Sequence, residues 1–268
     1  MNHAKTYHFG KNWQQYLSGH FSEESLERSK ESFTRFFGAN LHGKTFLDVG
    51  CGSGVHSLVA LMLGATRVVS FDVDEESVRA TKSLAKSYEG DGVWEVYHGS
   101  QLDEAFLQSL GTFDVVYCWG VAHHTGDMWR ALDLLDHPVA ERGLLYVAIY
   151  NTVSGRFGSS WWRRIKETYA RSPRPLQKIL EWGYIVLNLT LLVLRGNNPV
   201  SYIKQYKKKR GMDFFVDLKD WLGGYPYEHA TPAEIFHFYH KKGYALVNLK
   251  TTNHIGCNEF LFAKPPAS

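Results

Sequence analysis

The sequence predicts an open α/β fold on a mainly parallel sheet, and three stretches carry that prediction. Thr45–Val49 is an apolar run that enters a glycine-rich turn, Gly50-Cys51-Gly52-Ser53-Gly54; residues 68–71 form a second run ending at Asp72; Phe113–Trp119 form a third, ending at Gly120. Each run is short, rich in β-branched and aromatic residues, and followed by a helical pattern, so strands and helices alternate as they do around a parallel sheet.

The elements follow in order. Residues 1–40 read as helical, with start signals at Ser22, Glu23 and Glu24 and an apolar face of Phe33, Phe36 and Phe37, and are expected to cover one mouth of a ligand cleft. From 41 to 150 the alternation gives five βα units, with Asp74 capping a helix over 75–88 and the last strand at 144–150 after Gly143. Thr231-Pro232-Ala233-Glu234 is a capping box with proline at the first helical position, and Gly243 is placed to end that helix. Two further apolar runs, 245–250 and 259–263, close the chain, with His254, Cys257, Asn258 and Glu259 expected in the turn between them. The core is thus 41–150 plus 230–268, and 151–229 is an insertion.

The chemistry starts at the glycine turn. Gly50, Gly52 and Gly54 let the backbone turn sharply and approach a ligand, while the helix from Val55 aims its free amides at it. A dinucleotide fingerprint wants its third glycine at position 55; here it falls at Gly54, which favours S-adenosylmethionine (SAM) over NAD. The plainer alternative is a tight turn of any α/β protein. Asp72, 20 residues beyond Gly52, is placed to accept both ribose hydroxyls, since Asp74 is the better helix cap.

On these motifs residues 41–150 resemble the core of the class I SAM-dependent methyltransferases, in particular the small-molecule branch with the ubiquinone-biosynthesis-type O-methyltransferases. The resemblance implies a Rossmann-like seven-stranded methyltransferase sheet in the order 3-2-1-4-5-7-6 with the last strand antiparallel. It also implies SAM as cofactor, S-adenosylhomocysteine as product, and a cofactor site of Asp48, Gly50, Cys51, Gly52, Gly54, Asp72, Val73, Trp119 and Gly120. Many members carry an Asp after the third strand for the adenine amino group; here Ser100 or Gln101 is expected in its place. Insertions between the fifth strand and the last helix commonly form a helical substrate lid in this family.

Methyl transfer needs positioning and water exclusion, and a hydroxyl acceptor also needs a base. His124, with His123 beside it, is the expected base just beyond the fourth strand; loop packing is the alternative. Trp13, in the segment 9–13, and Trp221, Tyr225 and Glu228, around the Gly223-Gly224 turn, are expected substrate contacts, with packing again the alternative. No metal-ligand spacing is present. The reading is a methyltransferase for a small-molecule acceptor, O-methylation ahead of N, S or C; RNA methylation and a non-catalytic SAM- or adenosine-binding subunit are the rivals.

Composition bounds the rest. A chain of 268 residues, 44% hydrophobic, buries one sizeable core, and a net charge of +3 with interspersed acids gives no general case for nucleic acid. No Asn/Asp-Pro-Pro-aromatic motif follows the fourth strand, so DNA is not an expected partner. Cys51, Cys118 and Cys257 cannot all pair, and residues 1–10 lack the apolar core of a signal peptide, so cytoplasmic residence is expected. The apolar stretch 179–194 requires a partner. A buried lid helix or homodimer contact is expected ahead of a peripheral membrane contact, because 16 residues fall short of an ordinary span.

Overall fold

The computed structural model describes residues 23–38, 40–210 and 214–266. Seven strands form one sheet: β1 (Thr45–Val49), β2 (Arg67–Asp72), β3 (Val93–His98), β4 (Phe113–Trp119), β5 (Val139–Tyr150), β6 (Ala245–Lys250) and β7 (Cys257–Ala263). Their order is β3-β2-β1-β4-β5-β7-β6. β1 to β5 run parallel, and β7 pairs antiparallel with both β5 and β6. The expected fold class is therefore the observed one.

Around the sheet lie α1 (Glu23–Phe37), α2 (Val55–Met62), α3 (Glu75–Lys86), α4 (Glu104–Ser109), α5 (Met128–Leu134) and α10 (Pro232–Lys241). Strand alternation splits the core in two. Leu47, Val49, Val116, Cys118, Leu145 and Val147 pack with Leu132, Ile235 and Tyr239. Phe46, Val115, Tyr117 and Tyr146 pack with Phe33, Val59 and Ala60. α1 reaches that second layer through Phe33, stacked on Phe37, and through Phe36 edge-on to Tyr146. The described part of the N-terminal segment thus lies on the sheet face, and its expected role over the cleft mouth rests on residues outside the described ones.

Local signals act as their chemistry requires. Asp74 accepts the Glu76 amide at 3.0 Å and starts α3. Thr231 and Glu234 exchange both capping-box bonds, worth about 1 kcal/mol. Three boundaries differ from the sequence reading. β5 starts at Val139 rather than 144, its first residue pairing with Phe113 ahead of a register shift. α3 ends at Lys86 rather than 88, where Ser87 Oγ bonds the Leu84 carbonyl. β7 starts at Cys257 rather than 259, because Tyr150 at the end of β5 pairs with Cys257, so Cys257, Asn258 and Glu259 belong to the strand and not to a turn.

The segment after β5 holds α6 (Ser159–Arg171), α7 (Arg174–Leu194), α8 (Pro199–Arg210) and α9 (Phe214–Gly223). Tyr169, Ile185, Phe214, Leu218 and Leu222 make a small core of their own. The expectation of a buried lid helix at 179–194 is overturned. α7 is a 21-residue helix whose most apolar window is only 11% buried, with Ile179, Trp182, Val186, Leu187 and Leu194 exposed. The helix touches its neighbours along one narrow stripe through Ile185, and its apolar residues extend around the remaining circumference.

Candidate active site

The glycine turn is set by packing as much as by ligand approach. Gly50 has φ 68°, and a Cβ there would lie 2.4 Å from Val121 Cγ2; at Gly54, with φ 78°, it would lie 2.8 Å from Thr81 Cγ2. Side chains at these two positions would push away the loop after β4 and the flank of α3. The Gly50 and Cys51 amides donate to Phe71 O at 2.8 and 3.0 Å, and Cys51 Sγ lies 3.3 Å from Thr81 Oγ1. Asp48 is buried below the turn, where Ser57 Oγ donates to it at 2.5 Å and burial pushes its pKa up to about 7. It braces the turn from beneath.

Asp72 joins the turn to the next loop. Its Oδ2 accepts the Gly52 amide at 3.0 Å and its Oδ1 the Asp74 amide at 2.9 Å. Desolvation raises its pKa despite these bonds. Val73 beside it is exposed, its carbonyl 3.0 Å from His98 Nε2. Of the two adenine-edge expectations, Gln101 is turned inward: its Nε2 donates to Ala131 O at 3.2 Å and its Oε1 lies 3.8 Å from Cys118 Sγ. Ser100 is half-buried and accepts the Leu102 amide. Trp119 is exposed at the end of β4, and around Gly120 a Cβ would meet nothing within 4 Å.

These features fit a SAM molecule. The Asp72 carboxylate and the exposed apolar Val73 next to it would receive the ribose and the adenine, and the open backbone at Gly120 with the amides at the start of α2 the methionine part. Asp72 retains lone pairs for hydroxyl donors, since each oxygen accepts two bonds.

A second cluster lies where the strand ends meet the loop after α9. His124 Nδ1 donates to Pro226 O at 2.7 Å, the Glu228 amide donates to His123 O at 2.9 Å, and the Ala230 amide donates to Tyr150 O at 3.0 Å. The first bond fixes the His124 tautomer, with the lone pair on Nε2. Burial lowers the His124 pKa to about 4 and that of His123 further. Lys166 of α6 is fully buried, bonds the Trp221 carbonyl, and sits 3.9 Å from the Trp221 ring centroid and 5.2 Å from that of Tyr227. Desolvation lowers its pKa to about 7. Among the described residues, His123 Nε2, Trp221 Nε1 and Tyr227 OH are the buried side-chain polar atoms without a partner. A Cβ on Gly224 would touch both His124 Cε1 and Lys166 Nζ, so these groups share one site.

The structure therefore brings His123, His124 and Trp221 together and adds three residues the sequence reading missed: Lys166, Tyr227 and Tyr150. Lys166 stands between Ile165 and Glu167 in an amphipathic helix, and nothing in the pattern distinguishes it from a surface lysine. Tyr225 is half-buried on the loop. Glu228 has a structural role beside the expected one: both carboxylate oxygens accept the Met128 amide, at 3.2 and 3.1 Å, so it holds the first amide of α5, whose N-cap is Asp127. Trp13 lies outside the described residues.

Sheet order, glycine turn and acidic strand end define the class, that of the class I SAM-dependent methyltransferases. The family model for ribosomal protein L11 methyltransferase (PrmA) matches residues 28–134, the cofactor-binding half of the fold. The ribosomal protein L11 methyltransferase of Alteromonas mediterranea is 51% identical over 49 residues, 18% of this chain and 17% of that one. The Psychrobacter sp. protein of the same name is 40% identical over 76 residues, 28% and 24% respectively. The matched segment thus spans at most about a quarter of these curated relatives. Among solved structures, an O-methyltransferase family protein from Burkholderia thailandensis superposes with TM-score 0.58 at 12% identity, over 97% of this chain and 59% of that one. Magnesium protoporphyrin IX methyltransferase from Synechocystis with bound S-adenosylhomocysteine superposes with TM-score 0.53 at 16% identity, over 95% and 93%. At such identities the likeness is one of fold. The small-molecule branch named from the sequence is not distinguished by these matches.

Proposed function

We propose that this chain transfers a methyl group from SAM to the oxygen of a small molecule carrying an acidic hydroxyl, phenolic or enolic. The observation that supports this reading is the buried Lys166 beside His124, surrounded by donors that have no partner. Bound SAM would supply an electrophilic methyl for in-line displacement. Asp72 and Val73 would hold its nucleoside, and the glycine turn its amino-acid end.

The remaining work falls to this chain's second cluster. His124 is neutral at pH 7 and its Nε2 lone pair can receive the hydroxyl proton. With its pKa near 4 it is a weak base, which suits a phenol or enol better than an aliphatic alcohol. The oxyanion that forms is matched by the Lys166 ammonium and by the Tyr227 and Trp221 donors, in a site from which their burial excludes water. The loop holding Tyr227, which follows the helix that carries Trp221, is tied to the core by the Pro226–His124 bond, so acceptor recognition and the base are set by one contact.

The acceptor named for the L11 methyltransferases does not carry over, because the matched residues end at 134, before Lys166, Trp221 and Tyr227. Cytoplasmic residence, on the free cysteines Cys51, Cys118 and Cys257, belongs to the same proposal. The test is calorimetric titration with SAM, followed by measurement of S-adenosylhomocysteine formation on a panel of phenols, enols, aliphatic alcohols, amines and L11 protein. Turnover confined to phenols or enols is expected. Binding without turnover on any of them would leave a SAM-binding subunit, and turnover on L11 alone would replace the small-molecule acceptor by a protein.

A further inference from the structure

We infer that α7 docks this protein on the surface of an anionic lipid bilayer, lying in the interface and not crossing it. Three observations carry this, and none depends on the identity of the acceptor. First, α7 has 21 residues of mean hydropathy 1.2 over its most apolar window, yet that window is 11% buried. A soluble core helix of this composition is covered by protein; here Trp182 is 63% and Leu194 77% exposed, with Val186 and Leu187 between them. An apolar surface continued around a helix calls for a medium that can meet it on several sides.

Second, the stretch of sequence that carries that helix is strongly basic. Residues 151–210 contain thirteen Lys and Arg, one of them the buried Lys166, and two acids, Glu167 and Glu181, in a chain of net +3. Arg171 and Arg174 stand at one end of α7 and Arg195 at the other, all exposed. Glu181 is taken up within the fold by Tyr169 and Lys178. A lysine- and arginine-rich rim around an apolar helix is complementary to a layer of acidic headgroups over acyl chains, each basic side chain adding attraction near the surface. A second copy of this segment would set basic groups against basic groups, which disfavours a homodimer through this face.

Third, the packing of α7 forbids a span. Its midpoint residue Ile185 is buried in one cluster with Tyr169 of α6 and with Phe214, Leu218 and Leu222 of α9. A helix crossing about 30 Å of hydrocarbon would have to shed those neighbours, whose polar surfaces would enter the lipid. Lying in the interface keeps them in place on one side and gives the exposed side to the acyl chains.

The test is flotation of the purified full chain with vesicles of phosphatidylcholine, alone or with phosphatidylglycerol, at low and high salt. Binding is expected only with phosphatidylglycerol and should weaken as salt rises. The triple variant Arg171→Glu, Arg174→Glu, Arg195→Glu should lose roughly a hundredfold in vesicle affinity. The variant Trp182→Ser, Leu187→Gln, Leu194→Ser, all at exposed positions, should lose vesicle binding while keeping wild-type SAM affinity and thermal stability. Absence of binding to anionic vesicles by folded wild-type protein would overturn the inference. So would a dimer in analytical ultracentrifugation that the apolar variant dissolves, or resistance of the bound protein to extraction at alkaline pH, which marks a spanning helix.

Discussion

Asp72 Oδ2 accepts the backbone amide of Gly52 at 3.0 Å, so the acidic end of β2 and the glycine turn after β1 are one unit and not two separate motifs. The same carboxylate accepts the Asp74 amide and thereby sets the start of α3. A residue expected to act on a ribose is also what holds the loop shape that a cofactor would meet.

That dual role shapes the first prediction. Asp72→Asn keeps an acceptor for one of the two amides and loses the charge. SAM affinity should fall by about tenfold to a hundredfold, the loss for hydrogen bonds to a charged group, with a melting temperature near that of the wild type. Asp72→Ala should lose more affinity and some stability, because both amides are released. Calorimetry showing wild-type affinity for the folded Asn variant would remove Asp72 from the ribose.

His124→Gln should lower turnover by roughly 100-fold or more while SAM affinity holds. The pH profile is a separate readout. With the folded pKa near 4, the acid limb should fall close to pH 4 and not at the ordinary histidine value of 6.5. Wild-type turnover in the Gln variant would reduce His124 to a tether for Pro226 and turn attention to nitrogen or sulfur acceptors.

Lys166→Met should stabilise the protein and abolish turnover. The lysine's folded pKa, about 7, lies below its unfolded value of 10.5, so its stabilising contribution is present above pH 10.5 and is lost as pH falls through 7. The variant's gain should therefore be largest near pH 7, on the order of 4 kcal/mol, and shrink towards zero near pH 10.5. Denaturant titrations giving the same gain at both pH values would contradict a desolvated lysine.

Tyr227→Phe removes one buried hydroxyl without a partner and little volume. Stability should hold or rise slightly, while the acceptor's kcat/KM drops about tenfold and SAM affinity stays put. A stability loss of several kcal/mol with unchanged kcat/KM would show the hydroxyl to be structural.

Much of the cofactor half was legible in the sequence because its determinants are local. Gly50, Gly52 and Gly54 lie within five residues, Asp74 caps its own helix, and Thr231 with Glu234 closes a box across three positions. Of the boundaries that moved, the one at Ser87 turned on a local bond to the Leu84 carbonyl, while that at Cys257 was decided by non-local pairing: the register of β5 against β7 carries Cys257 into the strand. Glu228 read as a ligand group because its loop is aromatic and acidic; only the approach of Met128, 100 positions earlier, shows that it also holds the first amide of α5.

The sequence by itself determined the strand–helix alternation, the left-handed glycine turn and the acid at the end of β2, since period, φ preference and short spacing act between neighbours along the chain. Tertiary structure alone decided which side chains lose water. It buried Lys166 against Trp221 and Tyr227, turned Gln101 into the core, and left the apolar α7 uncovered. Desolvation depends on every element packed around a group, and those elements come from residues far apart: Lys166 and the Trp221 carbonyl that bonds it are separated by 55 positions.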